Sequence, residues 1–118
     1  TNQGLMTVAC AIYLSLLGPQ GLANTAAACH DRARKLFEKL TLLPGVDPVH
    51  SRPFFHEFVL ELDRPVAAVL HKLLKKGFVG GLALAQNRML VCATETKTTA
   101  DLDAYRDALA EILQGDGS

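Results

Sequence analysis

Almost every position in the opening stretch of the chain is apolar. Leu5, Val8, Ala9, Ile12, Tyr13, Leu16 and Leu17 recur at helical spacing, and Met6, Ala11 and Leu14 leave the opposite face with little polar character. This pattern predicts a helix over residues 5–17 that needs cover on nearly every side. Gly18-Pro19 ends it, and Pro19 suits the first turn of a second helix, where its missing N–H costs nothing. That second helix runs to about residue 40. Leu22, Ala26, Cys29, Ala33, Leu36, Phe37 and Leu40 form its stripe, flanked by Asp31, Arg32, Arg34, Lys35, Glu38 and Lys39.

After the turn at Leu43-Pro44-Gly45 the period changes from helical to alternating. Phe54, His56, Phe58, Leu60 and Leu62 alternate with Phe55, Glu57, Val59 and Glu61, which predicts a strand over residues 54–62. Asp63-Arg64-Pro65 opens a helix carrying Val66, Val69, Leu70, Leu73 and Leu74 on one side, and Lys75-Lys76-Gly77 closes it. Residues 78–84 and 89–94 read as a hairpin around Gln86-Asn87-Arg88. Thr98 and Asp101 have the spacing of a capping box, and the helix they start turns Leu102, Tyr105, Leu109, Ile112 and Leu113 inward. The expected fold is therefore α+β: a small three-stranded, mainly antiparallel sheet with helices on one face.

The chain begins Thr1-Asn2-Gln3-Gly4 and enters the apolar helix at once. The expected organisation is a connector helix from a missing large domain over residues 1–18, a small C-terminal domain over 19–114, and a disordered tail over 115–118. The 12 Lys and Arg balance 12 Asp and Glu, so the basic excess of a nucleic-acid binder is missing. The apolar run over 5–17 falls short of the ~20 residues needed to cross a bilayer, which argues against a membrane partner. The three cysteines, Cys10, Cys29 and Cys92, are widely spaced and form no CxxC pair or Cys–His metal spacing. They read as reduced, mostly buried thiols in a cytoplasmic protein with no metal site.

Local chemistry is sparse. His30, His50 and His71 read as solvated, and His56 as a histidine at the core edge on the apolar face of its strand. Glu57 and Glu61 share the outer strand face and read as solvated carboxylates. Gly80-Gly81 lacks the spacing of a phosphate-binding loop and reads as a close backbone approach or a bulge. A Schiff-base lysine wants an apolar pocket. Lys35, Lys39, Lys72, Lys75, Lys76 and Lys97 all fit polar faces, helix ends or loops, with Lys97 the least constrained. No catalytic residue is identified.

Four blocks in order, TNQGLMTVACAIYLSLLGPQGL, FFHEFVLEL, GFVGGLAL and LVCATET, resemble glycine decarboxylase, the P-protein of the glycine cleavage system. The resemblance covers nearly the whole chain and is nearest to the C-terminal end of the first, or alpha, subunit where the enzyme is split in two. It implies the small C-terminal domain of a fold-type-I, aspartate-aminotransferase-like enzyme that uses pyridoxal phosphate. The complex it implies decarboxylates glycine and passes the aminomethyl group to the lipoyl arm of the H-protein. Its cofactor is held mainly by the beta subunit, and this piece is non-catalytic by itself. By the same resemblance, Thr1, Asn2 and Gln3 occupy a loop that reaches across to the partner's cofactor phosphate. One departure accompanies the match. The late strand Met89-Leu90-Val91-Cys92-Ala93-Thr94 has none of the arginine that catalytic relatives use for a substrate carboxylate.

Two other readings stay open at this level. One is a ferredoxin-like regulatory or binding module, and the other is the small domain of a different fold-type-I enzyme. Two βαβ units would favour the first alternative. A long helix standing clear ahead of the sheet would favour the glycine decarboxylase reading.

Overall fold

The structure is a computed structural model that describes residues 2–115. Helix α1 (Asn2–Leu40) leads into strands β1 (Val46–Pro48) and β2 (Glu57–Leu62). Helix α2 (Val66–Lys75), strands β3 (Leu82–Ala85) and β4 (Arg88–Cys92), and helix α3 (Thr99–Gly115) follow. The sheet order is β1-β2-β4-β3, and every neighbouring pair is antiparallel. The three expected strands form, and the count is corrected to four by β1 at the edge. A three-residue strand that ends in Pro48 is too short to show alternation, and proline without an N–H is tolerated on an edge.

Helix α1 is one long element interrupted at Gly18, whose φ of 68° and ψ of 175° are not helical. Only glycine adopts that backbone readily, and Pro19 cannot donate into the preceding turn. The break separates limb 2–17 from limb 19–40, as the Gly-Pro pair predicts. The two limbs differ in surroundings. Cys29, Ala33, Leu36 and Leu40 of the second limb are buried in the core. No residue from 2 to 16 is buried, and Leu16 is 84% exposed. Taken together, Asn2–Leu40 is long and apolar enough by length and composition to cross a membrane, a feature that the 5–17 run alone does not reveal.

The core lies between the sheet and the helices. Phe58, Leu60 and Leu62 of β2 pair across to Val91 and Met89 of β4 and Val46 of β1, placing these side chains on one face. They pack with Leu36 and Leu40 of α1, Val66, Val69 and Leu73 of α2, and Leu102, Leu109 and Ile112 of α3. Each buried aliphatic side chain contributes about 1.5–3 kcal/mol relative to its exposed state. The opposite face carries Glu57, Val59, Glu61, Arg88, Leu90 and Cys92, none of them buried. The helices therefore cover one face of the sheet, as expected.

Local signals fix most boundaries. The Thr98 hydroxyl accepts from Asp101 N–H at 3.2 Å, and the Asp101 carboxylate accepts from Thr98 N–H at 2.7 Å, a reciprocal cap on α3. Phe78 N–H reaches Leu73 C=O at 2.9 Å and Gly77 N–H reaches Leu74 C=O at 2.9 Å, a Schellman ending to α2. Two strands start later than their patterns predict. Phe54–His56 lie outside the β2 ladder, yet Phe54 still packs against Phe37 and Phe58 at ring-centroid distances of 5.2 and 5.3 Å. Residues 78–81 stay outside β3 because Gly80 and Gly81 bring the backbone in close. A Cβ on Gly81 would lie 2.5 Å from Leu90 O, and one on Gly80 would lie 2.5 Å from Leu73 Cδ1. The close approach is as expected. The register irregularity falls further on, between Ala83 and Ala85. Helix α3 includes Gly115, one residue past its expected end, and the rest of the expected tail lies outside the described residues.

Candidate functional site

Of the residues expected in a phosphate-reaching loop, Asn2 and Gln3 are instead the start of α1, which begins at Asn2 and not at Leu5. Thr1 lies outside the described residues. Asn2 and Gln3 are exposed in the first helical turn, where N–H groups lack intrahelical partners and favour an anion. The Gln3 carbonyl accepts from the Thr7 hydroxyl at 2.8 Å. No acidic residue occupies this turn to compete for its positive end. Below it, Gln3, Met6, Thr7, Cys10, Ala11 and Leu14 line a broad, shallow groove along the apolar limb.

A second concavity of about 390 Å³ opens where the sheet meets α3, bounded by Leu36, Phe78, Val91, Cys92, Lys97, Asp101 and Tyr105. The Tyr105 hydroxyl donates to Gly80 C=O at 2.7 Å, and burial pushes the phenol well above its ordinary range. Lys97 is exposed at the rim. Its backbone carbonyl accepts from Arg32 Nε at 2.8 Å, which ties this loop to α1. Beside it the Cys29 thiol donates to the Glu95 carboxylate at 2.9 Å. That hydrogen bond, with burial second, raises the thiol, and it holds the Glu95 carboxyl below its usual range. Cys29 is therefore kept as a thiol. Cys10 and Cys92 are exposed, which corrects the expectation of mostly buried cysteines. Cys10 is exposed because its limb has no cover, and Cys92 because it points from the open face of the sheet.

Lys35 pairs with Asp31 at 2.8 Å, Lys39 with Asp103 at 2.6 Å and Lys76 with Glu111 at 2.8 Å, all at the surface. None of the lysines named above is buried. His30, His50 and His71 are exposed as expected, and His30 Nδ1 lies 3.0 Å from Phe55 C=O. Glu61 pairs with Arg88 at 3.5 Å across the open face.

His56 departs from its expected place. It precedes β2 rather than sitting on its apolar face, it is half-buried, and its Nδ1 is sealed from solvent without a hydrogen-bond partner. It meets Glu57 and Cys92, which are directly opposed in the β2–β4 register, and one donor atom from each of the three lies within 4.8 Å of the others. Spacing along the chain hid this cluster, because 34 residues, including α2 and β3, separate Glu57 from Cys92. Only correct strand pairing could have found it.

The topology answers one of the open alternatives. A long helix precedes the sheet and stands clear of it over residues 2–16, and the element order of the described residues holds no pair of βαβ units. Comparison with known proteins answers the other. The family model "Glycine cleavage system P-protein" matches residues 1–109. A probable glycine dehydrogenase (decarboxylating) subunit 1 from Methylococcus capsulatus is 47% identical over 97% of this chain and 26% of its own length. The protein of the same description from Coxiella burnetii is 48% identical over 95% of this chain and 26% of its own length. This chain thus spans about a quarter of the curated relatives it matches. A crystal structure of glycine decarboxylase (P-protein) of the glycine cleavage system, in inhibitor-bound form, aligns with a TM-score of 0.84 at 40% identity. The alignment covers 87% of this chain and 24% of that one. A sphingosine-1-phosphate lyase from Burkholderia pseudomallei shares the fold alone, with a TM-score of 0.73 at 18% identity over 86% of this chain and 23% of that one. With the fold, the clear-standing first helix and the family match all on the same residues, the chain belongs to the glycine cleavage system P-protein family.

Proposed function

We propose that this chain serves as the small domain of a glycine decarboxylase subunit 1 and that its task there is to complete an interface. In the whole complex, glycine loses carbon dioxide and its aminomethyl group passes to the lipoyl arm of the H-protein. The partners on this reading are a beta subunit and the H-protein. The observation that carries it is the uncovered apolar limb 2–16, which the family match spans. In a water-soluble subunit such a surface calls for protein cover. The same length of helix passes a bare test for a membrane span. The break at Gly18, the charged stripe of limb 19–40 and the family match support protein cover over lipid. Residues 1–18 then act as the connector and residues 19–114 as the small domain.

Pyridoxal phosphate, once bound, supplies an electron sink for the negative charge left by decarboxylation. The residues of this chain fit a supporting role toward it. Its lysines are exposed or half-exposed, which does not suit the desolvated amine of a cofactor lysine. The exposed first turn at Asn2 and Gln3 suits a phosphate reached in trans, with Thr1 beside them in sequence. The exposed thiols of Cys10 and Cys92 fit a reducing, cytoplasmic setting.

The test is glycine–bicarbonate exchange by the complete subunit 1 and its beta partner, with and without residues 1–115. Full assembly restores exchange on this reading. A complex that exchanges equally well without this chain defeats it.

A further inference from the structure

We infer that His56, Glu57 and Cys92 form a binding site for a zinc-like divalent cation on the open face of the sheet, apart from the cofactor chemistry proposed above. Three observations converge. One donor atom each from an imidazole, a carboxylate and a thiol lies within 4.8 Å of the other two. Two of the three are fixed as direct cross-strand partners, so the sheet itself sets their separation. The third contributes a ring whose Nδ1 is sealed from solvent and without a hydrogen-bond partner. Buried polar atoms are nearly always satisfied, and a cation lodged among these groups would give that ring a partner.

The donor set selects the ion. One nitrogen, one oxygen and one sulfur suit zinc in four-coordination with a water in the last position. Hard cations such as magnesium want oxygen ligands throughout. Bonds of about 2.0–2.3 Å bring tetrahedral ligands within roughly 3.5 Å of one another, so the cluster has to tighten slightly. Glu57 and Cys92 are exposed and free to rotate inward, and Glu57 forms no ion pair among the described residues that would hold it back. Binding displaces the Cys92 thiol proton to solvent, and the resulting thiolate and the Glu57 carboxylate together balance the two charges of the ion.

The site is tested in the full subunit that carries this chain, stripped with a chelator and titrated with cobalt(II) and with zinc. The wild type is expected to gain a thiolate-to-cobalt charge-transfer band that Cys92→Ser abolishes and Cys10→Ser leaves intact. His56→Ala and Glu57→Gln should each weaken zinc binding by tenfold or more. Cys92→Ser is near-isosteric at an exposed position, so circular dichroism should show an unchanged fold. A wild type without the band, a band that survives Cys92→Ser, or a zinc affinity unmoved by His56→Ala would overturn the site. None of these readouts depends on glycine exchange, so they stand or fall apart from the proposed enzyme role.

Discussion

The two limbs of α1 differ in how their apolar residues are arranged, and they have opposite fates. Limb 19–40 interleaves its apolar stripe with charges, finds the sheet and α3, and buries Ala33, Leu36 and Leu40. Limb 2–17 is apolar almost all round and touches little of its own chain, with Leu5 at 69% exposure. The limb with the more apolar sequence is the one left uncovered, so exposure follows from what each limb can be packed against. An amphipathic helix fits one surface and leaves its other side to water. A helix apolar on all sides needs a surround, and the sheet of this chain offers a single covered face that is already full.

That contrast can be broken by mutation. Leu60→Ala, at a position with no solvent exposure, should lower unfolding free energy by about 2–5 kcal/mol in chemical denaturation. Leu16→Ala should change it by less than about 0.5 kcal/mol in this chain. If Leu16→Ala proved as costly as Leu60→Ala, the limb would have cover that its exposure denies. Gly18→Ala probes the joint between the limbs. It places a Cβ on a backbone that glycine alone tolerates, so the expected cost is about 1–3 kcal/mol, read as straightened or weakened helix by circular dichroism. Thr98→Ala removes one half of the α3 cap and should cost about 1 kcal/mol.

The smallest effect expected is one of pH. Hydrogen bonds from the Thr98 N–H first, and its hydroxyl second, hold the Asp101 carboxyl below its ordinary value. A carboxyl depressed in the folded state binds its proton more readily when unfolded. Its contribution is therefore complete above the unfolded value, about 3.9, and fades as pH falls through the lower folded value. Acid unfolding curves should show a shallower loss below about pH 4 in Asp101→Asn than in the wild type. Identical acid limbs in the two proteins would remove the cap from the account.

What the chain disclosed in advance follows the range of the interactions involved. The α3 cap, the Gly77 ending of α2 and the break at Gly18 depend on a few adjacent residues, and all were legible. So was the inward stripe of α3, since every one of its five expected residues, Leu102, Tyr105, Leu109, Ile112 and Leu113, is buried. Strand β1 was not legible, because Val46 is held by its pairing with Leu62 and not by any pattern of its own. The start of β3 was misplaced for a related reason. Phe78 looks like a strand residue, yet its N–H is committed to the end of α2. At the candidate site, Asn2 and Gln3 were expected in a loop and are helical, because the helix starts three residues ahead of its first apolar position, and the meeting of His56 with Cys92 needed the sheet. The exposure of Cys92 likewise depended on which face of the sheet the helices chose.

The most direct measurement is hydrogen–deuterium exchange over residues 5–16, compared between this chain alone and the complete subunit. Rapid exchange is expected in the chain alone and strong protection once the remainder of the subunit is present, with limb 19–40 protected in both. Strong protection of residues 5–16 in the isolated chain, or continued rapid exchange in the complete subunit, would contradict this expectation.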